Sequence, residues 1–147
     1  MSDKKIKNLV LTGASRGIGH ATVKRFSSAG WRVITCSRQE VPENCPWSAG
    51  MHDHVQIDLS SMDDILEGAR KIIEKLEGNP LHALVNNAGI SPKSDDNQRL
   101  DTINTSLDCW KQVFQVNFFA PILLAKSLKS SLEDASGSIV NVTSIAG

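Results

Sequence analysis

Thr12-Gly13-Ala14-Ser15-Arg16-Gly17-Ile18-Gly19 joins a short apolar run, Ile6 to Thr12, to a helical pattern from about Ile18 to Ala29. A turn between strand and helix with three glycines has a physical use. Gly13 can take backbone angles closed to other residues, Gly17 lets the backbone approach a ligand, and Gly19 lets helix and strand pack closely. Unpaired N–H groups at the helix N-terminus then face an anion such as a pyrophosphate. No Lys follows the last glycine, so this is not a phosphate loop of the GxxxxGK[ST] type. Three glycines could also serve only as a tight connection.

Outward from this turn, short β-branched runs alternate with longer helical patterns. Gly30 stops the first helix, and strands are expected at Trp31 to Ser37 and His54 to Leu59. Ser61, with Asp64 three residues later, caps a helix. Its Ile65/Leu66, Ala69, Ile72/Ile73 and Leu76 recur on one face, and Gly78-Asn79-Pro80 ends it. Leu81 to Asn86 reads as a fourth strand, Leu107 to about Leu132 as a long helix, and Ser138 to Thr143 as a fifth strand. This alternation predicts an α/β fold, a doubly wound parallel sheet with right-handed crossovers and helices on both faces. The irregular segments are Arg38 to Asp53 and Gly89 to Ser106; loops of that length are often functional. No linker or repeat appears, so residues 1–147 read as one domain.

Composition narrows the function classes. Apolar residues make up 40% and charged residues 22%, an ordinary globular balance. Sixteen basic residues offset sixteen acidic ones, so no whole-chain field recruits nucleic acid or anionic lipid. Phe118 to Ala125 is too short an apolar run to span a membrane, and no secretory signal follows Met1. Cys36, Cys45 and Cys109 form neither an even set nor a Cys-x-x-Cys clip, which points to a reduced, cytoplasmic protein. The His52/His54 pair lacks a completing ligand set, so no metal is expected there. Asp63/Asp64 and Asp95/Asp96 read as helix capping and solvated loop. Tyrosine is absent altogether.

The turn resembles the cofactor turn, TGxxxGxG, of the short-chain dehydrogenase/reductase family. Three further segments fit that family in order: Asp58-Leu59, Asn86-Asn87-Ala88-Gly89, and the run from Ser138 through Ser144 to Gly147. The resemblance covers the whole chain and implies a Rossmann-type sheet, with strands 1–5 of an expected seven present. It implies a hydride-transferring oxidoreductase acting on a carbonyl or alcohol, working as a homo-oligomer (dimer or tetramer). It also implies cofactor contacts from Gly13, Ser15, Arg16, Gly17, Ile18 and Gly19, from Asp58 and Leu59 beside the adenine, and from Asn86, Ala88 and Gly89.

In dinucleotide folds a carboxylate some 20 residues after the glycines binds the 2′-hydroxyl of NAD, whereas an Arg suits the 2′-phosphate of NADP. Here the second strand ends Thr35-Cys36-Ser37-Arg38, without a carboxylate. Arg38 offers a planar donor array, Arg16 is a second basic group, and Ser15 and Ser37 could add hydroxyls. NADP is therefore expected. Glu40, past the strand end, keeps NAD as the alternative.

On the long helix Leu107, Trp110, Phe114, Asn117, Pro121, Leu124 and Leu128 share a stripe, so Asn117 is expected to be buried and to need a partner. Pro121 lacks the N–H that would reach the carbonyl of residue 117, and its ring pushes that carbonyl away. A kink filled by a water and a carbonyl put to use both fit those facts. The resemblance implies the second, with Asn117 and Ser144 as active-site residues: the carbonyl of Asn117 holds a water and Ser144 hydrogen-bonds the substrate oxygen.

Hydride transfer to a carbonyl also needs a proton donor. The family uses the Tyr of a Tyr-x-x-x-Lys helix beyond the serine, and no tyrosine stands in these residues. His20, His52, His54 and His82 lie on the first helix or at strand starts, not beside Ser144. Two readings follow: the N-terminal portion of a longer reductase, inactive alone, or a non-catalytic dinucleotide-binding module acting as sensor or scaffold. Continuation of the coding sequence past Gly147 into a Tyr-x-x-x-Lys helix separates them.

Overall fold

A computed structural model describes residues 5–40 and 51–144. The middle of the Arg38 to Asp53 segment, with Cys45, and residues 145–147 at the end of the run from Ser138 to Gly147 lie outside the described residues. The chain runs β1 (Asn8–Thr12), α1 (Gly17–Ser28), β2 (Arg32–Ser37), a 3-10 turn (Met51–Asp53), β3 (His54–Gln56), α2 (Met62–Leu76) and β4 (Ala83–Asn86). Then come α3 (Leu107–Phe114), a π-type turn (Gln115–Phe119), α4 (Ala120–Ser127), α5 (Lys129–Asp134) and β5 (Ser138–Asn141). The strands form one five-stranded parallel sheet in the order β3-β2-β1-β4-β5. This is a Rossmann-like α/β fold.

Strand alternation sorts the core into two layers. Val10, Ile34, Val55, Ile57 and Leu84 face α2 and α4, where they meet Ile65, Ile72, Leu76, Leu124 and Leu128. Leu9, Leu11, Val33, Ala83 and Val85 face the other way, against Val23 and Phe26 of α1. All five β1 positions are buried, as expected of a central parallel strand covered on both sides. Burying each such Leu or Ile contributes about 1.5–3 kcal/mol.

The helix boundaries follow local chemistry. After α1, Gly30 takes φ +79°, its N–H bonds the Ser27 carbonyl at 3.0 Å, and the Trp31 N–H bonds the Phe26 carbonyl at 3.0 Å. This is a Schellman ending, and the Phe26 and Trp31 rings complete it edge-to-face at 5.1 Å. Ser61 Oγ caps α2 by accepting from the Asp64 N–H at 3.2 Å. The buried stripe of α2 is Ile65, Gly68, Ala69, Ile72 and Leu76; Leu66 and Ile73 are exposed, against expectation, because the stripe is only one residue wide at those turns. Gly68 permits the contact with β3, since a Cβ there would lie 2.4 Å from Ile57 Cδ1.

The expected long helix differs most. A five-residue π-type turn interrupts it, with the Ala120 N–H reaching back to the Gln115 carbonyl. One extra residue rotates the two halves by about 100° relative to an unbroken helix. The expected stripe therefore does not stay on one face. Leu107 and Phe114 are exposed, whereas Val116, Ala120, Leu124, Leu128 and Leu132 form the buried series. Asn117 is exposed rather than buried. Pro121, which cannot donate to the carbonyl of residue 117, sits just after the π turn and is the sequence feature that accompanies it. β3 and β5 are also shorter than expected, although the Ile57 N–H to Ser37 and the Val142 N–H to Asn86 each extend a ladder at 2.9 Å.

Candidate functional site

A cleft of about 450 Å³ opens at the carboxyl ends of β1, β2 and β4. Chain order reverses between β1 and β4, the position at which open α/β sheets hold ligands. The turn after β1 forms its floor. Gly13 takes φ +69°, and a Cβ there would lie 2.8 Å from the Ala88 Cα, so turn and β4 tip touch through backbone. At Gly19 a Cβ would lie 2.0 Å from the Gly13 carbonyl oxygen. Gly17, at φ +56°, meets no atom within 4 Å where its Cβ would stand. Its missing side chain is not required by packing; it leaves open space above the first turn of α1.

The chemistry of that first turn suits an anion. The N-cap residue Arg16 makes no side-chain cap, and no acidic residue occupies the turn. The leading N–H groups therefore face the cleft without an internal competitor, with the positive end of the helix dipole behind them. This donor set, with the open space at Gly17, fits a pyrophosphate.

Thr12 and Asn87 tie the floor together. Thr12 Oγ1, buried, accepts from the N–H groups of Asn87 and Ala88, both at 3.1 Å. The Asn87 Nδ2 donates to the carbonyls of Thr12 at 3.2 Å and Gly13 at 3.1 Å. The two strand tips are thereby locked in register around the turn. Neither residue is singled out by the sequence reading. For Thr12 the signal was a hydroxyl at the last strand position, and for Asn87 it lay inside the quoted Asn-Asn-Ala-Gly run.

Of the predicted cofactor residues, Gly13, Ser15, Arg16, Gly17, Ile18, Ser37, Arg38, Asp58, Leu59, Ala88 and Gly89 line the cleft. Gly19 lies beneath the turn, and Asn86 is buried at the β4 end, where its Nδ2 donates to Asn141 Oδ1 at 2.9 Å. Ser37 Oγ donates to the Gln39 carbonyl at 2.8 Å, so its proton is engaged within the chain. Asp58 accepts from the Ser60 N–H at 2.9 Å and the Ser60 hydroxyl at 2.7 Å. Those bonds, with the Arg38 charge nearby, hold its carboxyl below the usual range. Burial pushes the Cys36 thiol up to about 12, so it lines the cleft as an inert apolar group.

Gln112 and Val116 of the π-interrupted helix supply the far wall, together with Ile90. Asn117 holds that wall: its Oδ1 accepts from the Ile90 N–H and its Nδ2 donates to the Ile90 carbonyl, each at 2.8 Å. The amide thus has both partners at an exposed position. Ser144 stands exposed beyond the last residue of β5 and does not line the cleft.

The family model described as short chain dehydrogenase matches residues 7–147. The chain belongs to this short-chain dehydrogenase family. Among its relatives in the family, Protein FixR of Bradyrhizobium diazoefficiens is 56% identical over 142 residues, covering 96% of this chain and 51% of that protein. A crystal structure of a short-chain dehydrogenase/reductase from Brucella ovis, in complex with a partially ordered NAD, superposes with TM-score 0.92 at 62% identity. The match covers 97% of this chain and 65% of that one. A metagenomic short-chain oxidoreductase in complex with NADP gives TM-score 0.76 at 27% identity, covering 95% of this chain and 62% of that one. The chain spans about half the length of the curated relatives it matches. No helix among the described residues is long and apolar enough to cross a membrane.

Proposed function

We propose that this chain is the dinucleotide-binding part of an oxidoreductase that moves a hydride between a nicotinamide cofactor and a carbonyl or alcohol substrate. The observation that carries the reading is the uncapped N-terminus of α1 beneath the open space at Gly17. Family membership and the dinucleotides in the Brucella ovis and metagenomic relatives support it. The nicotinamide, when bound, supplies or accepts the hydride.

The chain's own residues bind and orient. Gly13, Ser15, Gly17 and Ile18 receive the pyrophosphate, with Gly19 allowing the turn to close. Asp58 and Leu59 flank the adenine, and Asn86, Ala88 and Gly89 border the path toward the nicotinamide. Arg38 and Arg16 hold a 2′-phosphate, which makes NADP the preferred cofactor and NAD the alternative. Both arginines are exposed on the cleft wall, and neither has a salt-bridge partner among the described residues. Ser144 donates to the substrate oxygen, and the Asn117 carbonyl holds a water. The proton donor is assigned to a Tyr-x-x-x-Lys segment of a longer protein, so the 147 residues alone bind without turnover. The exposed rings of Phe114 in α3 and of Phe118 and Phe119 in the π-type turn support a homo-oligomer, and an odd cysteine set without a Cys-x-x-Cys clip supports a cytoplasmic site.

Calorimetric titration with NADPH and NADH tests the reading. Losing a charge-assisted pair and gaining a repulsive one predicts that Arg38→Asp lowers the NADPH-to-NADH affinity ratio by about 10-fold or more. An unchanged ratio overturns the preference for NADP. Failure of the parent chain to bind either dinucleotide overturns the whole reading.

A further inference from the structure

Arg38 lies one residue past the end of β2, exposed, on a segment that leaves the sheet. Among the described residues no ion pair anchors its guanidinium, although the Asp58 carboxyl senses its charge. With no ion pair to hold the side chain, the backbone sets the origin and direction from which the guanidinium reaches, and that backbone is held from the neighbouring edge strand. In the β2–β3 register Thr35 pairs with His54 and Ser37 with Gln56. Val55 turns into the α2 core, so His54 and Gln56 share the opposite face, beside Thr35 and Ser37.

From that face Gln56 Nε2 donates to the Arg38 carbonyl at 2.8 Å. His54 Nε2 lies 2.9 Å from the Gln39 carbonyl, which also accepts from Ser37 Oγ at 2.8 Å. A carbonyl only accepts, so the His54 proton sits on Nε2 and leaves Nδ1 as an acceptor. The Thr35 hydroxyl can donate to one group only. His54 Nδ1 at 2.9 Å wins over the Asp53 carbonyl at 3.4 Å, and this bond fixes the ring plane. Donors on two strands thus converge on the consecutive carbonyls that follow Arg38.

We propose that His54 and Gln56 are positioning residues for cofactor discrimination: they fix the peptide planes of Arg38 and Gln39 and so aim the Arg38 guanidinium at the 2′ end of the dinucleotide. This rests on the reading of Arg38 given above. A side chain that only blunts the sheet edge would affect both dinucleotides alike through stability. A positioning residue changes the ratio between them, because only the 2′-phosphate uses Arg38.

The experiment measures NADPH and NADH dissociation constants by calorimetry, together with the melting temperature, on the full chain and four variants: Gln56→Leu, His54→Phe, His54→Gln and Arg38→Asp. Gln56 is exposed, so its variant is expected to fold even if His54→Phe does not. Gln56→Leu and His54→Phe are expected to lower the NADPH-to-NADH ratio about 3- to 10-fold while NADH affinity stays within about 2-fold, the loss of roughly one hydrogen bond's worth of aim. His54→Gln, which keeps a donor near the Nε2 position, is expected to recover most of the ratio. Equal loss for both dinucleotides, or an unchanged ratio in Gln56→Leu, overturns the proposal. If Arg38→Asp shifts the ratio and the edge-strand variants do not, the positioning role alone falls. If Arg38→Asp leaves the ratio unchanged, the reading of Arg38 falls and takes the positioning role with it.

Discussion

β3 and β5 border the same sheet among the described residues, but they are finished in different ways. β3 has three residues, turns Val55 into the core and presents His54 and Gln56 on its other face. Behind it Arg32 grips both Asp53 oxygens, with Nη2 to Oδ1 at 2.7 Å, and also donates to the Lys75 carbonyl at 2.7 Å. The Lys75 ammonium reaches the His52 carbonyl. β5 is exposed at all four positions, with Ile139 and Val140 nearly half accessible, and Phe114 of α3 and Phe118 and Phe119 of the π-type turn are exposed as well. A short, polar edge resists pairing with other chains, whereas a parallel strand is normally covered on both faces. The difference teaches where structure and cofactor reading coincide. The β3 flank completes itself, and its polar bonds reach the cleft wall; the β5 flank carries the apolar surface and the proposed substrate-facing serine.

The largest expected effect probes how β5 is attached. A Cβ on Gly137 would stand 2.4 Å from the Leu81 carbonyl oxygen and 3.1 Å from that of His82. Both are backbone atoms that cannot swing aside, and the Ser138 N–H bonds the same His82 carbonyl at 3.0 Å. Gly137→Ala is expected to cost about 3 kcal/mol, at the upper end of overpacking, by prying β5 from β4. Urea unfolding measures it. A cost below about 0.5 kcal/mol would mean that β5 contributes little to the folded domain and that the two flanks differ in stability as well as in exposure.

On the opposite flank Asp53→Asn removes the charge that answers Arg32, at side-chain exposures of 27% and 16%. Such a pair is neither fully solvated nor fully desolvated. Arg32 also keeps its bond to the Lys75 carbonyl, so the expected cost is about 1–2 kcal/mol, between the surface and buried limits. Arg32→Met leaves the Asp53 carboxylate, at 16% exposure, without its counter-charge and the Lys75 carbonyl without its donor, so it is expected to cost more than Asp53→Asn. Chemical denaturation of the two variants checks the order.

The contrast between flanks also separates what the sequence made legible from what it did not. The succession of strands and helices and the place of the anion-binding turn followed from β-branched runs and the glycines, whose chemistry is local. Gly30 and Ser61 announced helix boundaries for the same reason. The π turn was only half legible: Pro121 marked a displaced carbonyl, but apolar spacing could not say that a residue would be inserted. The expected stripe therefore carried Leu107 and Phe114 inward and buried Asn117, whose partner is the Ile90 backbone across 27 positions of sequence. Thr12 and Asn87 were missed because their partners are main-chain groups about 75 residues apart in sequence. Such bonds depend on the fold before they can be read from it.

The smallest stability effect is expected at β5 itself, and there it is the association behaviour that discriminates. Ser138-Ile139-Val140-Asn141-Val142 contains no charge and no proline, and Val140 lies opposite Val85 on a strand with no further neighbour among the described residues. Those are the properties of a strand that pairs with another chain. Val140→Lys exchanges one exposed apolar group for a solvated charge, so its unfolding free energy should change by less than about 0.5 kcal/mol. Self-association of the 147-residue chain, followed by light scattering against concentration, should nevertheless fall, because pairing would bring the new ammonium against its copy. Gln56→Lys, the same charge placed on the β3 edge, should leave scattering unchanged, since that edge is already polar. Equal behaviour of the two variants would remove the distinction between the edges and leave exposed Phe114, Phe118 and Phe119 as the surface that drives association.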